Sequence, residues 1–85
     1  MGTFFGKYII MLQRGNGEWR AFMEVSRSGS IYTCDPRDFD AIEKFLTREA
    51  AERCLREKIG PYLDDSDFTH YVIADKNDIR RFRRD

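Results

Sequence analysis

The stretch TREAAERCLREKIG, residues 47–60, decides the fold, because its pattern predicts the helix around which the other segments must be arranged. Thr47 suits the position before the helix, since its hydroxyl can accept a hydrogen bond from a backbone N–H two or three residues further on. Gly60 suits the left-handed position just past a helix end, and Pro61 cannot continue a helix. The apolar side chains between these ends recur three and four residues apart, which predicts one buried face: Ala50, Ala51, Cys54, Leu55 and Ile59.

Four other segments have the composition and alternation of β-strands. Residues 4–13 and 68–74 are rich in β-branched and aromatic side chains, and residues 18–25 alternate regularly between the two sides of a strand. Residues 31–34 form a short third strand, and the Asn-Gly pair at residues 16–17 is a strong hairpin signal between the first two. Together the segments predict a single α+β domain of order β-β-β-α-β. In this domain a three- to four-stranded, mainly antiparallel sheet carries one amphipathic helix on one face.

Two segments have no clear assignment from their pattern. Residues 36–46 fit either an extended segment or a separate helical turn capped by Asp38, and we expect the extended form. Residues 79–85, IRRFRRD, are interpreted as a polar, basic tail with room for one helical turn.

The predicted strands carry more apolar surface than one helix can cover. Apolar side chains occur on both faces of the first and last strands, which is typical of strands buried on both sides. The second face must therefore be covered by residues 36–46, by the tail, by a second copy of the chain or by another molecule. A face that the chain leaves uncovered is an interaction site. We assign five side chains to the outer faces: Ile9, Met11, Phe22, Tyr71 and Ile73.

Charge and cysteine content limit the class of protein. Fifteen basic residues balance fifteen acidic ones, so the net charge gives no general attraction to nucleic acid or to a membrane. Cys34 and Cys54 lack the spacing of a metal or redox motif, and we expect free thiols in a cytoplasmic protein. The sequence alone does not distinguish free thiols from a single disulfide. No apolar run approaches the roughly 18 residues of a membrane-spanning helix.

No group of residues has the spacing of a catalytic or cofactor site. His70 is the only histidine, and acid–base catalysis would need a partner that the sequence does not identify. The acidic cluster at residues 64–67 lacks the spacing, glycine and distal glutamate of a calcium loop. The sequence therefore predicts neither an enzyme nor a bound cofactor or metal.

These observations favour a small non-enzymatic interaction domain. Its size suits an accessory inhibitor or adaptor, of the kind that phages and mobile elements encode. Such a domain would self-associate as a homodimer or bind a protein partner through an apolar sheet face or an edge strand. Phe22→Glu should then break the association and leave the fold intact.

The alternative function is nucleic-acid binding. Aromatic side chains on a sheet can stack on bases, and a basic tail can contact phosphates. Zero net charge and the absence of an RNP-type aromatic motif argue against this function. The residues that would serve it are Tyr8, Tyr32, Arg80, Arg81, Arg83 and Arg84.

Overall fold

The computed structural model describes residues 6–83, which form a four-stranded sheet of order β3-β2-β1-β4 with all neighbours antiparallel. The strands are β1 (Tyr8–Arg14), β2 (Trp19–Val25), β3 (Ile31–Cys34) and β4 (Phe68–Asp75). One helix, α1 (residues 48–63), connects β3 to β4 and packs on one face, so the predicted α+β class and the order β-β-β-α-β are confirmed. Residues 4 and 5 of the predicted first strand lie outside the described residues.

Both hairpins close through a three-residue loop that ends in a glycine with positive φ. In the first, the Arg14 N–H donates to the Glu18 carbonyl (2.8 Å) and the Gly17 N–H to the Arg14 carbonyl (2.9 Å). Gly17 has φ 92°, and Gly29 has φ 89° at the equivalent position of the second hairpin. Other residues rarely adopt this conformation, so the two glycines allow the chain to reverse direction.

Helix α1 covers residues 48–63 and begins as predicted. The Thr47 hydroxyl accepts a hydrogen bond from the Ala50 N–H at 3.0 Å. Arg48–Cys54 is α-helical, Leu55–Ile59 is a π-helical turn, and Gly60–Leu63 is α-helical again.

The predicted helix end at Gly60 is wrong. Gly60 is helical, with φ −49°, and its N–H donates five residues back to the Leu55 carbonyl. Pro61 is accommodated because it lies in the first turn after this wide turn, where no intrahelical donor is required of it.

The layer between α1 and the sheet is a closed apolar cluster. α1 contributes residues three to five positions apart, which face β1, β2 and β4. The buried members are Ile10, Leu12, Phe22, Phe45, Ala51, Cys54, Ile59 and Ile73.

The opposite sheet face is also covered, and by the chain itself. A 3₁₀ turn (Phe39–Ala41) followed by Ile42 covers one part, and a C-terminal 3₁₀ helix (Lys76–Phe82) covers another. The buried members of this layer are Ile9, Met11, Ala21, Cys34, Ile42, Ala74, Ile79 and Phe82. The prediction of a polar tail is therefore wrong for Ile79 and Phe82, which are core residues.

The segment before α1 combines both predicted alternatives, since a helical turn is followed by extended chain. Phe45 and Tyr8 exchange backbone hydrogen bonds of 2.8 and 2.9 Å, which attach the extended part to β1. Lys44 is buried, and its Nζ donates to the carbonyls of Phe39 (2.6 Å) and Ile42 (3.0 Å). These bonds hold the turn against the extended part.

Candidate functional site

The five residues assigned to outer faces do not form one exposed surface. Ile9 and Met11 lie under the C-terminal 3₁₀ helix and the Phe39–Ala41 turn, and both are 0% exposed. Phe22 and Ile73 lie on the opposite face, buried against α1. Only Tyr71 is exposed, at 56%.

The second sheet face is covered by the chain itself, through residues 36–46 and the tail, which are two of the four covers considered above, so these five side chains are not an uncovered apolar face. Phe22 lies opposite Trp19, as alternation predicts, but its face is the one that α1 covers. The pairing of β2 with β3 shifts between Phe22 and Glu24, so Val25 is the residue that departs from strict alternation and packs into the same layer as Phe22. Phe22→Glu should consequently unfold the domain, because it buries a carboxylate in the core.

Two of the exposed large apolar side chains, Tyr71 (56%) and Val72 (36%), lie together on one edge strand, whereas the others are scattered: Leu46 (61%), Tyr32 (50%) and Tyr62 (40%). β4 is a terminal strand of eight residues, paired with β1 along one side. Its middle, residues 69–72, is exposed. Tyr71 opposes Leu12 and so lies on the α1 side, whereas Val72 opposes Met11 on the other side. The edge therefore presents an apolar group on each face.

Hydrogen bonding shows which backbone groups of β4 point outwards. The Lys76 N–H donates to the Lys7 carbonyl at 2.7 Å, so the backbone at Lys76 is directed towards the first strand. Because this direction alternates along an antiparallel strand, the backbone of Val72 is also directed inwards. The N–H and C=O groups of Tyr71 and Ile73 are then directed away from the sheet.

The contacts of Tyr8 support this assignment. Tyr8 opposes Asp75 in the register, yet it exchanges its backbone hydrogen bonds with Phe45 on the far side of β1. Among the described residues, no backbone group forms a hydrogen bond with the outer side of Tyr71 or Ile73. The edge thus has outward-directed donors and acceptors that are exposed at residues 69–72, whereas Ile73 is 9% exposed.

A hollow of about 320 Å³ lies beside this edge, between α1 and Tyr71. It has an apolar base with charged groups at its rim. The lining residues are Glu52, Leu55, Arg56, Gly60, Leu63 and Tyr71. A side chain carried on a strand next to β4 would reach this hollow from the α1 side of the sheet.

A second, larger groove of about 510 Å³ lies at the other side of α1, above Phe22 and Phe45. Cys54 forms part of its base, and burial raises the pKa of the Cys54 thiol, which keeps it protonated and unreactive at neutral pH. The rim mixes Glu24, Glu43 and Glu57 with Arg53 and Lys58. These opposed charges do not converge on one chemical class of ligand.

The polar residues considered for chemistry are not brought together. His70 is exposed, and its Nδ1 lies 3.0 Å from the Thr69 hydroxyl. Within residues 6–83, no three His, Cys, Asp or Glu side chains form a group that could hold a metal ion. Cys34 and Cys54 are free and buried on opposite faces of the sheet, so they cannot pair with each other.

The residues of the nucleic-acid alternative fall on two sides of the sheet. Tyr8 is half-buried on the α1 side. Tyr32 is 50% exposed on the opposite side, where the C-terminal 3₁₀ helix carries the exposed Arg80 and Arg81. The Nε of Arg83 is buried without a hydrogen-bond partner, and Arg84 lies outside the described residues.

Two parts of the β4 site are not predicted by the sequence: the exposed Val72, and the hollow that Leu55 and Leu63 line. The polar pair Thr69 and His70 inside an otherwise apolar strand is the signal that could have indicated a partly exposed edge.

No protein-family profile, curated protein or solved structure matches this chain. In the part of the chain that the structure describes, no helix is long and apolar enough to cross a membrane.

Proposed function

We propose that this protein is a non-enzymatic interaction domain that binds an extended protein segment along the free edge of β4. The observation that supports the proposal is the exposed Tyr71, whose backbone N–H and C=O are directed away from the sheet. We further propose an accessory role as an inhibitor or adaptor in the cytoplasm, where the two free thiols would remain reduced.

From His70 onwards, the edge lacks the features that normally prevent strand addition. Proteins protect exposed edges with lysine, proline, inward-pointing charges or bulges. The exposed middle of β4 has the sequence Thr-His-Tyr-Val at residues 69–72, with none of the protective residue types. The pairing irregularity of β4 lies at Thr69, because Gln13 opposes His70 and Arg14 opposes Phe68, so the regular edge begins at His70.

The two components of the site match the requirements of strand addition. In this mode the main-chain hydrogen bonds provide affinity, and pockets for alternate side chains provide specificity. A segment paired with Tyr71 and Ile73 would bond to the outward groups of both residues. Its side chains opposite them would lie on the α1 side, next to the hollow at Leu55 and Leu63.

Peptide selection with a backbone-specific variant tests the proposal. A random-peptide display library is screened against the native domain, and the selected peptides are titrated against Tyr71→Pro and Tyr71→Thr. Proline removes the outward N–H and is tolerated on the open side of an edge strand, whereas threonine changes only the side chain. One lost hydrogen bond corresponds to a two- to tenfold loss of affinity, at about 0.5–1.5 kcal/mol.

The proposal predicts that peptides lose affinity for Tyr71→Pro by more than they lose for Tyr71→Thr. Peptides that bind both variants equally would show that the edge backbone is not used. Backbone amide shifts confined to residues 69–75 in the titration would support the location.

Nucleic-acid binding is a second candidate, favoured by one observation: Tyr32 and the pair Arg80 and Arg81 lie on the same side of the sheet. Deletion of residues 79–85 cannot test it, because the deletion removes the buried Ile79 and Phe82. The double variant Arg80→Ser, Arg81→Ser leaves the core intact. If the candidate is correct, the variant weakens binding of single-stranded oligonucleotides and flattens its salt dependence.

A further inference from the structure

We infer that the segment bound at the β4 edge is β4 of a second copy of this chain, paired antiparallel about a two-fold axis through Val72. This inference rests on the proposed function, since it specifies the occupant of the same edge. The two sheets would then join into one continuous antiparallel sheet across the axis. The same surface serves both copies, as a two-fold interface requires.

The hydrogen-bonding direction of β4 restricts the possible registers. Residues whose backbones are directed outwards must pair with each other across the interface. With the axis at Val72, Tyr71 pairs with Ile73 of the second copy, and both residues have outward-directed groups. Val72 then faces its own counterpart in a non-hydrogen-bonded pair, where the side chains approach most closely.

Side-chain chemistry favours this register over the alternative centred on Tyr71. The Val72 register aligns three consecutive apolar pairs, two of Tyr71 with Ile73 and one of Val72 with Val72. The Tyr71 register opposes Val72 to His70 and Ile73 to Thr69, and so replaces apolar pairs with mixed ones. Aromatic and β-branched cross-strand pairs are the ones that stabilise a sheet.

Charge does not oppose the Val72 register. Asp75 faces Thr69 of the second copy and His70 faces Ala74, so no like charges are placed directly opposite each other. Asp75 is also partly neutralised by the Lys7 ammonium, 3.7 Å from its carboxylate.

The position of α1 adds a second complementary contact. A two-fold axis perpendicular to the sheet places both α1 helices on the same face, with their hollows turned towards each other. Glu52 and Arg56 line the hollow and are exposed, and each forms an ion pair on its own helix, with Arg48 (3.4 Å) and Glu57 (3.7 Å). Acidic and basic groups of one copy would face the basic and acidic groups of the other beside these pairs. Tyr71, now 56% exposed, would be covered by this contact.

Cysteine cross-linking tests the inference and its register together. Val72→Cys and Tyr71→Cys are each oxidised under mild conditions, and the native chain, whose two thiols are buried, serves as the control. Opposed residues of a non-hydrogen-bonded pair have Cα atoms about 4.5 Å apart, within disulfide range. We expect a disulfide-linked dimer from Val72→Cys, its loss when Tyr71→Pro is added, and little cross-linking of Tyr71→Cys.

Light scattering on a size-exclusion column, under reducing conditions, gives the mass of the native chain independently. Twice the chain mass at high concentration, reverting to a monomer in Tyr71→Pro, supports self-pairing.

Equal cross-linking of both cysteine variants, or faster cross-linking of Tyr71→Cys, overturns the Val72 axis. A native chain that remains monomeric, with no cross-link, overturns the second copy as occupant. The proposed function is then decided separately, by whether the selected peptides distinguish Tyr71→Pro from Tyr71→Thr.

Discussion

Phe82→Ala tests whether the C-terminal 3₁₀ helix is part of the core. The Phe82 ring is 8% exposed and meets the Trp19 indole edge-on, with 4.9 Å between ring centroids. The substitution removes the ring from the layer that covers Ile9 and Met11. The loss of stability therefore measures how much the C-terminal 3₁₀ helix contributes by covering the second sheet face.

The expected loss of stability follows from these contacts. Truncation of a buried phenylalanine costs about 3–5 kcal/mol. Phe82 is 8% exposed and not fully enclosed, so we expect the lower end of this range, about 3 kcal/mol. A domain of this size has a free energy of unfolding on the order of 4–13 kcal/mol, so the variant should lose a large part of it.

Urea denaturation followed by tryptophan fluorescence is the assay, because Trp19 is the only tryptophan and contacts the deleted ring. The native-state emission of Phe82→Ala should also shift to longer wavelength as Trp19 becomes more hydrated. Arg80→Ala is the matched control, since its exposed side chain lies on the same helix and should change stability by less than about 0.5 kcal/mol. A loss below about 1 kcal/mol for Phe82→Ala, with unchanged emission, would refute the packing of this helix on the sheet.

Three further predictions concern the edge strand β4, the glycine at position 6 and the two thiols. Val72→Pro should lower the melting temperature more than Tyr71→Pro, because it removes a backbone N–H directed at β1, whereas Tyr71→Pro removes one directed at solvent. Equal effects would contradict the assigned directions of the backbone groups. Gly6→Ala should destabilise the domain in the same assay, since a Cβ there would lie 2.5 Å from the Lys44 carbonyl carbon; an unchanged melting temperature would show that the backbone can move apart. Burial raises the pKa of the Cys34 and Cys54 thiols, so their contribution to stability is complete below about pH 8.5 and declines as the pH rises above it. The free energy of unfolding, measured by urea denaturation from pH 7 to 10, should decline less steeply in the double variant Cys34→Ser, Cys54→Ala than in the native chain. Parallel curves of the two proteins would contradict the raised pKa values.

The parts of the fold that local chemistry determines were predictable from sequence. The cap at Thr47 depends on a hydroxyl and an N–H three residues away, and the hairpins depend on glycines at Gly17 and Gly29. The end of α1 was not predictable in this way, because Pro61 is accommodated by a wide turn that forms earlier in the helix. A prediction based on proline alone does not take into account the wide turn that allows the helix to continue.

Residues 36–46 and the tail were among the four possible covers of the second face, but the choice among the four was not predictable, because it depends on tertiary contacts of short segments. Ile79 and Phe82 are separated by two arginines, so the tail appears basic in sequence. In a 3₁₀ helix, residues three apart lie on the same side, and this spacing directs both side chains towards the sheet. The same spacing in an α-helix would also have suggested a shared side, but seven residues are too few to establish either pattern.

The packing of both sheet faces affects how the β4 edge would bind an extended segment. The Asp75 carboxylate accepts a hydrogen bond from the Asn77 N–H at 2.8 Å, so β4 passes into the C-terminal 3₁₀ helix without an intervening loop. Ile79 and Phe82 then anchor that helix on the sheet, while β1 fixes the inner side of β4. The outward groups of Tyr71 and Ile73 are thereby held in strand geometry before any partner arrives. Because a preformed edge requires little further ordering on association, most of the hydrogen-bond energy gained there remains available for affinity.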